Sequence, residues 1–143
     1  MPTIRRTVTA AKPLSVVYAY LADFANAQEW DAGTVSCRRI SGDGGVGTRY
    51  ENVSSFRGRE STLVYETRER DTDRRLVMRG TNKSVTAVDT MTFRGTDTGT
   101  EVTYVAEFTF HGLAKLATPL MGGPLNKLGD EAQASMTVAL ARL

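Results

Sequence analysis

The chain has 143 residues, 41% of them hydrophobic and 24% charged, which suits one ordinary globular domain. Its net charge of +2 is spread over mixed acids and bases, which argues against a nucleic-acid partner. No apolar run approaches the ~20 residues that a membrane span needs, and the N-terminal Met-Pro-Thr-Ile-Arg-Arg lacks the apolar run of a signal peptide. One cysteine, Cys37, excludes an internal disulfide and fits a cytoplasmic home. With a single histidine, His111, the chain carries no zinc signature, and neither a metal nor a cofactor is expected.

Residues 3–9 alternate, Ile4 and Val8 against Arg5 and Thr7, and predict a first strand. Pro13 then opens a helix at the position proline prefers, with Val16, Val17, Tyr20, Leu21 and Phe24 on its buried face. Asp23 and Asn26 signal its end and a turn into a second short helix before Trp30. Strand patterns follow at 34–41, 46–55, 59–69, 74–81, 83–94 and 100–110. The turns at 41–45, 70–73 and 95–99 carry the Gly and Asp of tight connections and predict a meander of antiparallel neighbours. The glycine-rich turn Ser41-Gly42-Asp43-Gly44-Gly45 is no phosphate cradle, because it lacks the Lys-Ser/Thr pair and leads into no helix. Arg57 through Arg75 mixes both signs at strand spacing, as a solvated sheet face does.

The last thirty-odd residues alone sustain helical periodicity. Leu125, Leu128, Ala132, Met136, Ala139 and Leu143 form one apolar stripe, with Asn126, Lys127, Asp130, Glu131, Gln133 and Thr137 on the solvent side. Thr118-Pro119 and Met121-Gly122-Gly123-Pro124 predict a short segment at 112–121, a break, then the main helix from about 124. The break is either a plain turn or a hinge that gates a cavity. A long amphipathic helix needs cover for its stripe and a single antiparallel sheet needs cover for its inner face. The fold class is therefore α+β, a sheet of about seven strands packed on the C-terminal helix.

Motifs along the whole chain carry a family resemblance. Pro13 through Phe24 with Asn26 and Trp30 resembles the opening of the START-like (SRPBCC) superfamily, in particular its polyketide cyclase/dehydrase and lipid-transport group. Gly45-Val46-Gly47-Thr48-Arg49-Tyr50, Arg74-Arg75-Leu76-Val77 and Gly99-Thr100-Glu101-Val102-Thr103-Tyr104 match in the same order. The resemblance implies a helix-grip fold. In it a curved antiparallel sheet, with two short helices after the first strand, wraps the long C-terminal helix around a cavity for a hydrophobic ligand. It transfers fold and pocket, not an activity, because the group includes carriers, sensors and cyclases.

Alternation assigns the inward faces. Val102, Tyr104, Ala106, Phe108 and Phe110 form the apolar face of the last strand, and Val85, Ala87, Asp89, Met91 and Phe93 that of the strand before. Asp89 is a carboxylate in an apolar series, and hairpin register brings it near Tyr104 or Ala106. Desolvated, it is a candidate general acid or base with Tyr104 as partner; paired with an arginine, or turned out by a bulge, it is structural. Tyr65 and Leu63, and Tyr50 with Asn52, also face inward, either to pack or to orient a ligand oxygen. A cavity of the implied kind would be lined by Trp30, Tyr50, Tyr65, Met91, Phe93, Phe108, Leu120 and Leu128. Trp30-Asp31 falls at its rim by the resemblance, and Trp30 either anchors the helices or meets the ligand. His111, without a triad, is read as a cap or surface group, and Cys37 as a small apolar side chain.

Three functions follow. The leading one is binding of a small hydrophobic or amphipathic molecule by a monomer or homodimer. The second is cofactor-independent cyclisation or dehydration of a polyketide by Asp89 and a tyrosine. The third is a protein-interaction module with a closed cavity.

Overall fold

A computed structural model describes residues 2–143. Seven strands form one antiparallel sheet in the order β1-β7-β6-β5-β4-β3-β2. They are β1 (Thr3–Ala10), β2 (Thr34–Ser41), β3 (Arg49–Phe56), β4 (Arg59–Asp71), β5 (Arg75–Thr81), β6 (Val85–Thr96) and β7 (Gly99–Phe110). From β2 to β7 the strands are a simple meander, as the turn residues predict. β1 joins the far edge by pairing with β7, Ile4 opposite Ala106 and Val8 opposite Val102. Register shifts between Thr34 and Ser36, Arg39 and Ser41, and Thr67 and Glu69 mark bulges, which bend the sheet toward its covered face.

Two short helices, α1 (Leu14–Ala22) and α2 (Ala27–Trp30), follow β1. Between them Phe24–Asn26 makes a single 3-10 turn, capped by Asp23, whose Oδ1 accepts from Ala25 N at 3.2 Å. A 3-10 segment, Gly112–Leu120, leads to the long helix α3 (Gly122–Ala141). This is the expected helix-grip architecture. No helix among the described residues is long and apolar enough to cross a membrane.

Several boundaries and faces differ from the sequence reading. Strand β3 starts at Arg49, not 46. Gly47 is left-handed at φ 91°, and residues 45–48 close a loop in which Gly44 N donates to the buried Thr48 hydroxyl at 2.8 Å. On α1 the buried face is Val17, Tyr18, Leu21 and Ala22, while Val16 is 43% exposed. The Tyr18 hydroxyl donates to Arg75 O at 3.1 Å, and its ring meets Phe93 edge-on at 4.9 Å. The α3 stripe holds Leu125, Ala132, Met136 and Ala139 as expected, and also Gly129 and Leu140.

Gly129 explains how closely α3 lies on β1. A Cβ there would sit 2.6 Å from Ile4 Cγ2 and 3.0 Å from Arg6 Nη2. Only hydrogen fits. Asn126 and Asp130, exposed as predicted, clasp the same strand: Arg6 donates to Asp130 Oδ1 at 2.9 Å and to Asn126 Oδ1 at 2.8 Å. Gln133 Nε2 donates to Thr7 O at 2.8 Å.

Candidate functional site

Sheet and α3 do not close on each other completely. Between them lies a cavity of about 400 Å³. Ile4, Leu63, Ala87, Phe108, Phe110, Leu125 and Leu128 supply apolar wall, and Asp31, Tyr65, Asp89 and Tyr104 supply isolated polar groups. Toward the turns the lining becomes polar, with Ser54, Ser55, Ser61, Asn82, Ser84 and Arg59. A mostly apolar concavity with a few convergent polar tips is the usual form of a small-molecule site.

Asp89 faces inward from β6, opposite Ala106 in the register and 5% exposed. No bulge turns it outward, and among the described residues no arginine or lysine pairs with it. Its partner is Tyr104, whose hydroxyl donates to Oδ2 at 3.3 Å. Burial pushes the carboxyl up from the ordinary 3.8 to about 7; the Asp31 charge adds to this, and the Tyr104 hydroxyl opposes it. A carboxylate balanced near neutrality can take a proton from, or return one to, a bound molecule.

Tyr65 stands on β4 between Tyr50 and Gly80 in the register. Its ring lies flat over Gly80, where a Cβ would be 2.5 Å from Cζ, so the glycine lets the side chain reach across the neighbouring strand. Phe24 backs the ring at 4.7 Å. The hydroxyl has no hydrogen-bond partner among the described residues. Burial, then the Asp89 and Asp31 charges, hold the phenol well above its ordinary value, so it stays a donor.

Asp31 is the polar group whose weight the sequence reading missed. It follows α2 in an Asx turn, Oδ1 accepting from Gly33 N at 3.1 Å and Oδ2 from the Thr34 hydroxyl at 2.9 Å. Burial raises its pKa, and those two donors pull it back. The chain continues from Asn52 Nδ2 to Thr34 Oγ1 at 3.2 Å, with Ser54 Oγ donating to Asn52 Oδ1 at 2.5 Å. The Asp-x-Gly-Thr pattern carries the turn signal. Ser61 and Ser54 were legible as the next inward steps from Leu63 and Asn52.

Of the side chains expected to wall the cavity, Tyr65, Phe108 and Leu128 do. The others do not. Trp30, Tyr50 and Met91 are 0–1% exposed in solid core, and Phe93 packs on Tyr18. Trp30 acts one layer behind: its ring meets Tyr104 edge-on at 5.8 Å, and its indole N–H has no hydrogen-bond partner in the described residues. Leu120 is 74% exposed on the 3-10 segment. His111 Nε2 lies 2.7 Å from the hydroxyl of Thr86, a residue out of phase with the inward series. Cys37 is buried, its thiol pushed up to about 11 by desolvation. No group of three or more metal-type side chains occurs among the described residues.

The fold has wide company. The Zhui aromatase/cyclase from Streptomyces sp. R1128 superposes with a TM-score of 0.76 at 15% identity, covering 96% of this chain and 90% of that one. A START superfamily protein from Mycobacterium smegmatis gives 0.80 at 7% identity, covering 96% of each. A Thermus thermophilus protein gives 0.72 at 19%, covering 96% of this chain and 99% of the other. Likeness at such low identity carries the fold alone. No curated protein matches the chain. The model of one family, polyketide cyclase / dehydrase and lipid transport, matches residues 1–142, and the chain belongs to that family.

Proposed function

We propose that the chain binds a small, largely apolar molecule bearing one or two oxygen functions in the cavity between sheet and α3. One observation carries this reading: a cavity of about 400 Å³ with a mostly apolar wall, into which Tyr65 brings a hydroxyl that no described residue satisfies. The hydroxyl opens into the cavity, where a ligand oxygen can accept from it. Family membership supports the same reading at the level of the fold. Displacement of the fluorescent probe N-phenyl-1-naphthylamine from the purified chain is the direct test. Saturable probe binding that Leu63→Trp or Ala87→Phe blocks, in protein that still melts cooperatively, is expected. Binding left intact by both cavity-filling changes would overturn the assignment.

Asp89 favours a second, catalytic reading. With its pKa near 7 and Tyr104 beside it, the ionised carboxylate would take a proton from the carbon next to a ligand carbonyl. Tyr65 would donate to the enolate oxygen that forms; the enolate carbon would then attack a second carbonyl, whose oxygen takes back the proton held by the Asp89 carboxyl. The check is deuterium exchange at the α-carbon of a simple monoketone, 1-tetralone, followed by NMR. Exchange accelerated by the protein and lost in Asp89→Asn supports catalysis; acceleration that survives the substitution removes Asp89 from it.

A further inference from the structure

The 3-10 segment Gly112–Leu120 has its amphipathicity inside out. Three residues make one 3-10 turn, so residues three apart share an edge. Leu113, Leu116 and Pro119 form one edge, with Leu120 beside it, and the three leucines are 86%, 77% and 74% exposed. The residues turned toward the protein are the small ones: Ala114 lines the cavity and Ala117 packs on the core. A segment meant only for water would carry the opposite arrangement. Contiguous large apolar side chains in solvent mark a contact surface.

The charges around this edge are mostly positive. Lys115 lies on the segment itself. Lys83 sits between the cavity-lining Asn82 and Ser84, and Arg57 and Arg59 flank the tip of the β3–β4 hairpin, where Arg59 lines the cavity. All four are exposed, and none makes an ion pair among the described residues. Residues 108–129 contain no Asp or Glu. The acids at hand are Glu60 in the hairpin and Glu131, which leans on Lys127 at 3.9 Å.

We infer that the cavity mouth docks on an anionic lipid bilayer, Leu113, Leu116 and Leu120 entering the apolar layer while Arg57, Arg59, Lys83 and Lys115 meet lipid phosphates. Exposed leucines with interleaved cations are the chemistry of an interfacial segment. A second copy fits less well, since a two-fold contact through this face would bring two cationic rims together with few acids to oppose them. The docking holds whatever the cavity carries, because the leucines stand outside it.

Flotation of the full chain with vesicles tests this. Binding to equimolar phosphatidylcholine and phosphatidylglycerol vesicles is expected to exceed that to pure phosphatidylcholine by roughly tenfold or more, and to weaken at high salt. L113S/L116S/L120S should lose at least roughly tenfold of this affinity, and K83E/K115E a similar factor on the anionic vesicles only. Melting curves confirm folding; should the leucine variant not fold, the lysine variant decides. Equal or absent binding to the two vesicle types overturns the inference. So does undiminished binding by a folded leucine variant, or a solution dimer that the leucine changes dissociate.

Discussion

The two ends of the grip are built from the same alternating strands and behave differently. At the end covered by α1 and α2, Phe24, Trp30 and Tyr50 interlock edge-to-face at 5.9–6.1 Å, and Tyr18 closes on Phe93. At the other end the inward positions are Ser54, Ser61, Val85 and Phe110, with the 3-10 segment across them, and space remains. The lesson is that inward alternation alone does not make a cavity wall. An inward side chain becomes core where α1 and α2 are inserted over it and wall where only α3 and the 3-10 segment span it. Tyr104 and Tyr65 stand at the boundary, each with an aromatic ring from the closed end behind it.

The largest test of that contrast is Trp30→Ala, expected to cost about 3–5 kcal/mol in denaturant unfolding. Phe108→Ala, on the cavity wall and already partly free of neighbours, should cost less than half as much. Trp30→Phe, which removes an unsatisfied donor and keeps most of the packing, should be far milder than the alanine change. Equal losses for Trp30→Ala and Phe108→Ala would mean the two ends are packed alike.

Next comes the pH dependence of Asp89. Its folded pKa lies above the unfolded value, so the native state holds the extra proton. The stability it contributes is complete below about 4 and is lost as pH rises through about 7. Between pH 5 and pH 8 the loss from this group is about 2–3 kcal/mol, from the linkage relation. Urea unfolding of Asp89→Asn should lack that component; an identical pH slope in both proteins would place the carboxyl in water.

Gly129→Val probes the seam between α3 and β1. With Ile4 Cγ2 only 2.6 Å from the new Cβ, the expected loss is about 1–3 kcal/mol. The Arg6 clasp should loosen with it, seen as faster amide exchange at the start of β1. Tyr65→Phe is the smallest change to stability, within about 0.5 kcal/mol, because the hydroxyl has no partner to lose. It should nevertheless lower affinity for an oxygen-bearing ligand while sparing a pure hydrocarbon.

Much of this protein is written in local pattern. Period-two alternation and Gly/Asp turns specify the meander, and steps of three and four specify α3. Pro119 with Gly122-Gly123 marks where the 3-10 segment hands over to it. Register followed too, since a hairpin turning at 95–99 must bring Asp89 beside Ala106 and Tyr104. What local pattern could not carry is which inward side chains meet space. Trp30, Tyr50, Met91 and Phe93 read the same as Tyr65 and Phe108 along their elements. Tyr50 and Phe93 became core because Phe24 and Tyr18 fold back over them, and Trp30, itself on α2, because it packs against Tyr104 of β7, all contacts between residues far apart in sequence. Asp31 was legible as a rim residue by the resemblance, but its hydrogen-bonded chain through Thr34 and Asn52 to Ser54 was not, because that chain forms only where β2 meets β3. The faces of strands and helices are set by backbone geometry, residue by residue. Void, burial and the pKa of a carboxyl depend on what the rest of the chain leaves unfilled, and only the tertiary structure decides that.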